Sequence, residues 1–406
     1  MTSGETDIHD RGTVQPDSAA RPRLTPAVRT AGDGEKAVRE LLNRARRVVV
    51  KVGSSSLASA KTGLDITRLR RLVAVLADRQ AMGHEMILVS SGAIAAGLEP
   101  LGFTHRPSDI AQQQAAAAVG QGVLMSAYTQ EFAAHDLRIA QVLLTKQDLA
   151  RRKSYANALS TFGALTRLGV IPVVNENDTV ATREIRMGDN DHLAALVAEL
   201  VHADALILLS DVDGLYTARP DTPDAERIGF VTDPRSVTAD VNRPGASGVG
   251  SGGMATKVDA ARLATTAGIP VGLARWDQAE SLLAGDHVGT VFAPGARRLS
   301  RRHGWLAHAS SSQGQLHVDA GAATALTTTA ASLLAAGIRR VEGSFAAGDS
   351  VEIVAPDSTV IARGVVSFDS SELPAMLGRT STDLGSNLGE RFTRPVVHRD
   401  DLVIVD

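Results

Sequence analysis

Short apolar runs alternate with longer stretches of helical periodicity between residues 47 and 291. The runs are rich in Val, Ile and Leu and almost free of polar residues, which is typical of strands covered on both faces. We predict strands over residues 48–52, 85–89, 139–144, 170–174, 205–209 and 269–273. We predict helices over residues 65–82, 109–134, 155–168, 192–201 and 254–267. This alternation predicts an α/β fold, with a mainly parallel sheet sandwiched by helices.

The pattern changes at both ends of this region. Residues 1–43 are rich in Gly, Pro, Ser, Thr, Arg and Asp without periodicity, so we expect a disordered N-terminal extension that ends in a short helix over 35–44. Residues 44–295 form the α/β domain, and 296–312 are an arginine-bearing linker, which we interpret as a solvated connector. In a separate, mostly β domain over 313–406 we predict strands at 316–318, 351–354, 361–366 and 402–405 and a short helix at 330–336.

The densest cluster of short polar residues follows the predicted strand 170–174. It reads Asn175-Glu176-Asn177-Asp178, and a second cluster, Gly188-Asp189-Asn190-Asp191, opens the next helix. Asn and Asp suit strand ends, turns and N-caps, and strand ends are where parallel sheets present ligand-binding groups. Such groups could hold an ammonium, a metal-bound phosphate or a lysine. Two ordinary turns are the alternative.

Three glycine-rich segments are candidate phosphate sites. Lys51 ends the first strand just before Gly53, Ser90-Ser91-Gly92-Ala93 follows the second strand, and residues 248–257 end in Lys257. Backbone amides of such turns, with a lysine nearby, can cradle phosphate, and we expect both lysines on solvent-facing loops. Residues 248–253 have the letters Gly-x-Gly-x-x-Gly, but no strand precedes them, so we reject a dinucleotide fingerprint. Each segment taken alone is equally consistent with a plain turn or a flexible loop.

Composition narrows the chemistry. The 406 residues include no cysteine, which excludes disulfides, thiolate nucleophiles and Cys-ligated metal sites. Any metal would need oxygen or imidazole ligands, and oxygen ligands favour magnesium. The net charge of −3 gives no reason to expect nucleic acid or an anionic membrane as a partner. No apolar run approaches the ~20 residues of a membrane span, and the N-terminus lacks the apolar core of a signal peptide, so we expect a cytoplasmic location.

Two lysines near glycines and two Asp/Asn clusters are the groups that phosphoryl transfer requires. That reaction depends on positioning and on positive charge around the moving phosphoryl group, and it needs little covalent chemistry from the protein. No general base is required where the acceptor is already an anion, such as a carboxylate.

These segments resemble the glutamate 5-kinases of the amino-acid kinase superfamily. The resemblance runs from about Arg47 to the C-terminus, and residues 1–43 depart from it. It is carried by Val48–Ser55, Val89–Gly97, Ala118–Gln121, Asn175–Asp178, Gly188–Asp191, Asp213–Thr217 and Ser251–Lys257. Residues 318–322 and 397–401 are similar to the PUA domain that ends many members. The resemblance implies an amino-acid kinase fold followed by a small, mostly β PUA-like domain.

The resemblance also implies the reaction and the role of each site residue. ATP would phosphorylate the γ-carboxylate of L-glutamate to give L-glutamyl 5-phosphate, the first step of proline biosynthesis. Lys51 and Lys257 would neutralise the phosphoryl group, and Asp191 would hold both lysines. The implied glutamate-binding residues are Ser91, Asp178, Asp189 and Asn190. The implied nucleotide-binding residues are Lys51, Gly53, Ser210, Asp211, Ser251, Gly252, Gly253, Met254, Ala255, Thr256 and Lys257.

The implied partners follow from the same resemblance. They are ATP with Mg²⁺, L-glutamate, proline as a feedback inhibitor, further copies of the chain in a homo-oligomer, and a glutamate-5-semialdehyde dehydrogenase that receives the acyl phosphate. No membrane partner is expected. The identity of the metal ligands stays open.

Two alternatives remain. One is another enzyme of the superfamily, of the acetylglutamate kinase or aspartokinase type, although neither usually ends in a PUA module. The other is a PUA-type RNA-binding protein. Residues 313–406 contain seven Arg, no Lys and twelve Asp or Glu, a net charge of −5. RNA binding needs a basic surface, so nucleic acid is an unlikely partner of this domain.

Overall fold

The computed structural model describes residues 32–59, 63–180, 189–218, 222, 225–237, 253–295, 312–329 and 331–405. The helices are α1 (Gly32–Arg44), α2 (Ser54–Leu57), α3 (Ile66–Ala81), α4 (Ala93–Leu98), α5 (Ile110–Ala133), α6 (Lys146–Ala150), α7 (Arg152–Arg167), α8 (Asp189–Leu200), α9 (Met254–Thr266), α10 (Ala279–Ala284), α11 (Ala320–Thr329) and α12 (Ser381–Leu388). The strands are β1 (Arg47–Val52), β2 (Ala58–Ser59), β3 (Gly63–Leu64), β4 (Glu85–Ser90), β5 (Arg138–Leu144), β6 (Val170–Glu176), β7 (Ala205–Ser210), β8 (Leu215–Tyr216), β9 (Arg227–Ile228), β10 (Phe230–Val231), β11 (Val271–Arg275), β12 (Thr290–Phe292), β13 (Gly314–Val318), β14 (Ile338–Gly343), β15 (Ser350–Val354), β16 (Val360–Val366) and β17 (Val397–Ile404).

An eight-stranded sheet organises the first domain. Its strand order is β10-β12-β11-β7-β1-β4-β6-β5, and the six strands from β11 to β5 are all parallel. Strand β12 runs antiparallel to β11. The predicted α/β class with a mainly parallel sheet is therefore confirmed. Because β7, β1, β4 and β6 are parallel neighbours, their carboxyl ends meet at one edge of the sheet, as the sequence led us to expect.

The sheet has an apolar cluster on each face, and the alternation of β1 decides which face each residue takes. Val49 belongs to the cluster that includes α8 and α9, whereas Val48 and Val50 belong to the cluster on the opposite face. Successive side chains of a strand point to opposite faces, so Lys51 shares its face with Val49. The strand thus delivers one lysine to the side occupied by α8 and α9.

Helix α1 extends the first domain further towards the N-terminus than the sequence predicted. Val38 and Leu42 are buried against the core, and the Arg39 guanidinium donates to the backbone carbonyls of Asp286 and Val288. The short helix predicted over residues 35–44 is confirmed, but it begins at Gly32 and packs on the domain, whereas residues 32–43 were counted with the extension from the sequence. The rest of that predicted extension, residues 1–31, lies outside the described residues.

The C-terminal domain is built on a five-stranded sheet with the order β14-β13-β15-β16-β17. Its strand neighbours are antiparallel except for β13 and β15. The mostly β character is confirmed, but the predicted helix at 330–336 is wrong because the helix is α11, which ends at Thr329. The predicted linker lies outside the described residues except for Ser312.

Among the described residues, none of the helices combines the length and the apolar character that crossing a bilayer would require.

Candidate active site

Two lysines and one aspartate form a buried ionic cluster at the carboxyl edge of the sheet. Lys51 Nζ lies 2.5 Å from Asp191 Oδ1, and Lys257 Nζ lies 3.3 Å from Asp191 Oδ2. Each lysine therefore has its own carboxylate oxygen. Lys51 comes from the centre of the sheet, where β1 pairs with β4 and β7. Asp191 and Lys257 come from the first turns of α8 and α9.

Burial gives this cluster its electrostatic character. Lys51 is 5% exposed, Lys257 6% and Asp191 0%, so the expectation that both lysines lie on solvent-facing loops is wrong. Burial lowers the pKa of Lys51, and the nearby Asp191 charge opposes that change. Burial would raise the pKa of Asp191, but Lys51 and Lys257 outweigh it and lower that pKa to about 2. Asp191 is therefore ionised at neutral pH, as the partner of two cations must be.

A threonine ties the start of α9 to the same carboxylate. Thr256 Oγ1 lies 2.7 Å from Asp191 Oδ2 and 2.9 Å from the backbone oxygen of Gly253. Gly253 is the residue that precedes α9 and has no side chain to cap it. The Gly-Met-Ala-Thr-Lys segment thus places a hydroxyl and an ammonium on Asp191 within one helical turn.

A second cluster, made of neutral amides and a hydroxyl, lies at the ends of β4 and β6. Asn190 Nδ2 donates to Ser91 Oγ and to Asn175 Oδ1, each at 3.0 Å. Asn175 Nδ2 in turn donates to Gln121 Oε1 at 2.9 Å. Asn190 precedes Asp191 in α8, so the amide cluster and the ionic cluster share one helix start. The arrangement places hydrogen-bonding groups for an organic ion beside two buried cations.

Glycines bring the helix that carries Gln121 close to the loop that carries Ser91. A Cβ atom added to Gly120 of α5 would lie 1.8 Å from the carbonyl oxygen of Ala93, and one added to Gly97 would lie 1.9 Å from that of Ala116. Helices α4 and α5 therefore touch backbone to backbone. Gly92, between Ser91 and α4, has a φ of +102°, a conformation that favours glycine.

The candidate nucleotide residues lie at the ends of the two central strands. Gly53, directly after β1, donates its backbone N–H to the carbonyl of Leu209 in β7. Ser210 ends β7, and its hydroxyl donates to Asp211 Oδ1 at 3.0 Å. The Asp211 carboxylate is near enough to Lys51 to raise the pKa of that lysine slightly against the effect of burial. The ionic cluster and these residues are therefore parts of one region.

The remaining predicted residues are placed in part. Asp178 lies two residues beyond β6 and is half-buried, and Met254 and Ala255 open α9 and are half-buried. Asp189 is the first residue of α8, and its side chain lies outside the described ones, as do Ser251 and Gly252. Among the described residues, no group of three or more His, Asp or Glu side chains is arranged to hold a metal.

Sequence reasoning missed the parts played by Asn175 and Gln121. Both lie inside segments that carried the family resemblance, but neither was assigned to the site. The signal was present: Gln121 is the one polar residue between Ala115 and Met125, and Asn175 follows the apolar run Val170–Val174 directly. Asn175 is 2% exposed and Gln121 9% exposed, and buried amides of this kind need hydrogen-bond partners.

Comparisons with known proteins identify the family of this chain. A model described as "Amino acid kinase family" matches residues 46–274, and one described as "PUA domain" matches residues 314–385. A glutamate 5-kinase of Thermobifida fusca is 51% identical over 92% of this chain and 97% of its own. That of Salinispora arenicola is 53% identical over 91% and 100%, and that of Cutibacterium acnes 54% over 89% and 92%. A solved UMP kinase from Bacillus anthracis, at 15% identity, covers 62% of this chain and 97% of its own with a TM-score of 0.43, too low to support any inference.

Proposed function

We propose, since the chain belongs to the glutamate 5-kinases of the amino acid kinase family, that it transfers the γ-phosphoryl group of ATP to the γ-carboxylate of L-glutamate. The product is L-glutamyl 5-phosphate, and the reaction is the first step of proline biosynthesis. The observation that carries the proposal is the buried Lys51–Asp191–Lys257 cluster beside the Ser91–Asn190 pair.

The two lysines act on the phosphoryl group. A γ-carboxylate oxygen of glutamate forms a bond to the γ-phosphorus while the bond from that phosphorus to the β–γ bridging oxygen breaks, and ADP leaves with that oxygen. The acceptor is an anion already, so no proton has to be removed. Lys51 and Lys257 carry two positive charges against the single charge of Asp191, and their burial strengthens their interaction with the transferring group.

Asp191 acts by holding the lysines. Its pKa of about 2 keeps it ionised, so both ammonium groups stay in place before ATP arrives. Preorganised charge of this kind costs no reorganisation when the phosphoryl group moves.

Glutamate lies on the neighbouring amide cluster. Ser91 and Asn190 offer a hydroxyl and an amide, and Asp178 supplies a carboxylate for the α-ammonium. A charge-assisted hydrogen bond to that ammonium is worth about 1.5–3 kcal/mol. Asp189, one residue before Asn190, completes the proposed glutamate-binding set. Because N-acetylation removes the ammonium, this arrangement favours free glutamate over N-acetylglutamate.

ATP enters as its magnesium complex, with the metal as part of the substrate. Magnesium commonly binds through substrate phosphates, waters and one or two carboxylates, so it needs no cage of protein ligands. The proposed nucleotide residues are Lys51, Gly53, Ser210, Asp211 and residues 251–257, at the carboxyl ends of β1 and β7 and the start of α9.

The decisive experiment compares ATP turnover with L-glutamate, N-acetylglutamate and L-aspartate, with hydroxylamine present to trap the acyl phosphate. We expect ADP and hydroxamate to form with L-glutamate and with neither of the other two substrates. Equal turnover with N-acetylglutamate would favour the acetylglutamate kinase alternative, and turnover with aspartate alone would favour the aspartokinase alternative.

Further proposals concern regulation and partners. Proline shares an α-carboxylate and an α-nitrogen with glutamate, so it would occupy the glutamate site, and it has no γ-carboxylate to phosphorylate. The enzyme would work in the cytoplasm as a homo-oligomer and would pass its labile acyl phosphate to a glutamate-5-semialdehyde dehydrogenase.

A further inference from the structure

A chain of four side-chain amides runs from the outer strand of the sheet to the proposed glutamate site. Gln121 Nε2 donates to Gln141 Oε1 of β5 at 3.3 Å, and Gln121 Oε1 accepts from Asn175 Nδ2 at 2.9 Å. Asn175 Oδ1 accepts from Asn190 Nδ2 at 3.0 Å, and the same Asn190 amide group donates to Ser91 Oγ. Each amide in the chain therefore has a defined donor end and a defined acceptor end.

A backbone group fixes the direction of the whole chain. The N–H of Glu176 donates to Asn175 Oδ1 at 2.9 Å, and a backbone N–H can only donate. The Asn175 oxygen must therefore face Glu176, and its NH₂ group must face Gln121. It follows that Asn190 can meet Asn175 Oδ1 only through its own NH₂ group.

As a result, the amide oxygen of Asn190 faces no hydrogen-bond donor among the described residues. This Oδ1 atom is also shielded from solvent. Buried polar atoms are nearly always hydrogen-bonded, so this oxygen marks a place where a ligand donor belongs. The α-ammonium of an amino acid is a donor with no acceptor capacity, and it matches this oxygen.

Among the four amides, Gln121 lies directly beside the close contact between α4 and α5. It follows Gly120, whose missing side chain allows α5 to touch the backbone of α4. At 9% exposure it is nearly enclosed, and its carbonyl oxygen is the acceptor of the Asn175 NH₂ group. Without that acceptor, the NH₂ group of Asn175 would be buried and unsatisfied, and the preference for the observed orientation would weaken.

We propose that Gln121 is a positioning residue for glutamate: it supports, together with the Glu176 N–H, the observed orientation of the Asn175 amide, which in turn makes Asn190 present its carbonyl oxygen to the α-ammonium of the substrate. The proposal rests on the function proposed above. Gln121 itself does not touch the substrate in this arrangement, so it acts on glutamate affinity through two intervening amides.

The test uses the full-length chain with two substitutions at one position. Gln121→Met keeps the length of the side chain and removes the acceptor, and we expect the KM for glutamate to rise about ten-fold, the upper end of the range for one neutral hydrogen bond. Gln121→Glu presents an oxygen to Asn175 whether or not it is protonated but loses the NH₂ donor to Gln141, so we expect the KM for glutamate to rise by no more than about three-fold. The KM for MgATP should stay unchanged in both variants. Gln112→Met, on the exposed side of the same helix, is the matched control.

The KM values of these variants separate a positioning role of Gln121 from a general distortion of the site. An unchanged glutamate KM in Gln121→Met overturns the proposal, as does an equal rise in Gln121→Met and Gln121→Glu or a parallel rise in the KM for MgATP, because these indicate general distortion. If Gln121→Met does not fold, Gln141→Met replaces it: it removes the acceptor at the other end of Gln121, and its glutamate KM should rise by a smaller factor of about three. An unchanged KM there overturns the proposal. A wild-type chain that releases no ADP in response to glutamate would instead defeat the proposed function.

Discussion

Two lysines of the site share one buried carboxylate, and these ion pairs hold their ammonium groups in place. Lys51 and Lys257 each hold one oxygen of Asp191 and are almost fully enclosed. Burying a charge destabilises the folded state unless a partner of opposite charge compensates it. The cluster keeps one excess positive charge, which is consistent with a site built to receive an anionic phosphoryl group.

We predict that Lys51→Met and Lys257→Met each lower kcat by about 10²–10³, the range for loss of one preorganised donor. Lys153→Met, at an exposed position of α7, is the control and should leave kcat unchanged. Steady-state kinetics, with circular dichroism to establish folding, provides the measurement. A folded variant with near-normal kcat would remove that lysine from the catalytic set.

A second ionisable residue, Glu199, is buried without a hydrogen-bond partner among the described residues. Burial raises the pKa of Glu199 in α8 to about 8. Its pKa in the folded chain thus exceeds the ordinary value of 4.5. The contribution of Glu199 to stability is complete below pH 4.5 and is lost as the pH rises towards 8.

Glu199→Gln should therefore stabilise the protein in a pH-dependent manner. The amide has the size of the neutral acid and cannot ionise, so the gain should be small at pH 5 and on the order of 3 kcal/mol at pH 7. Chemical unfolding at both pH values measures it, and Glu280→Gln, at an exposed site in α10, is the control. A gain that does not grow with pH would show that Glu199 is not buried as a neutral acid.

At the scale of single residues, the sequence identified the charged residues of the site but did not predict that they are buried. Lys51 stood out because a lysine ends an apolar strand, and Asp191 because it opens a helix after a polar cluster. Burial depends on how α8 and α9 pack against β1, which is a long-range property. Gln121 and Asn175 were overlooked for the same reason, because the partners of a buried amide are distant in sequence.

Among the elements, the contact between α4 and α5 shows what a glycine can determine. Gly120 and Gly122 lie two residues apart in one helix, but a Cβ at Gly120 would collide with Ala93, whereas a Cβ at Gly122 meets nothing within 4 Å. The two positions thus provide opposite tests of one substitution.

We predict that Gly120→Ala destabilises the protein by about 1–3 kcal/mol or more, because the collision is with backbone and the helices must separate. Gly122→Ala should stabilise it by about 0.5–1 kcal/mol, through the better helix propensity of alanine. Unfolding in urea compares the two. Equal effects of both substitutions would mean that α4 and α5 are not in backbone contact.

Elements with strong periodicity were predicted well, and the failures have local causes. The six parallel strands and the five long helices were placed within a few residues because their apolar patterns are long and bounded by turns, whereas the short strands β10 and β12 of the same sheet were not predicted. Strand β14 was missed because it carries two arginines and a glutamate among only six residues. The helix expected at 330–336 was read from an Ala-Leu pattern, but the chain is helical earlier, over the Ala/Thr-rich segment of α11.

On the scale of the molecule, the C-terminal domain has its own apolar core but is not wholly separate from the first. Residues of β13, β15 and β16 form one cluster, whereas Val365 of β16 belongs to the cluster on the α8 and α9 face of the large sheet. The composition of the two parts was readable from sequence. This contact was not, because a single valine in a strand carries no sign of what it will meet.

Inhibition by proline tests how function is divided between the domains. The proposed glutamate site lies wholly in the first domain, around Ser91 and Asn190, and proline would compete there. We therefore predict that a chain ending at Gly295 keeps glutamate phosphorylation and keeps inhibition by proline that glutamate overcomes. Removal of Val365 uncovers apolar surface, so the truncated chain should unfold at a lower temperature than the full chain. Proline titrations at several glutamate concentrations, on both chains, measure the inhibition constant. If truncation abolished inhibition while activity persisted, the inhibitor site or its coupling would lie in the C-terminal domain, and the overlap of proline with glutamate would be wrong.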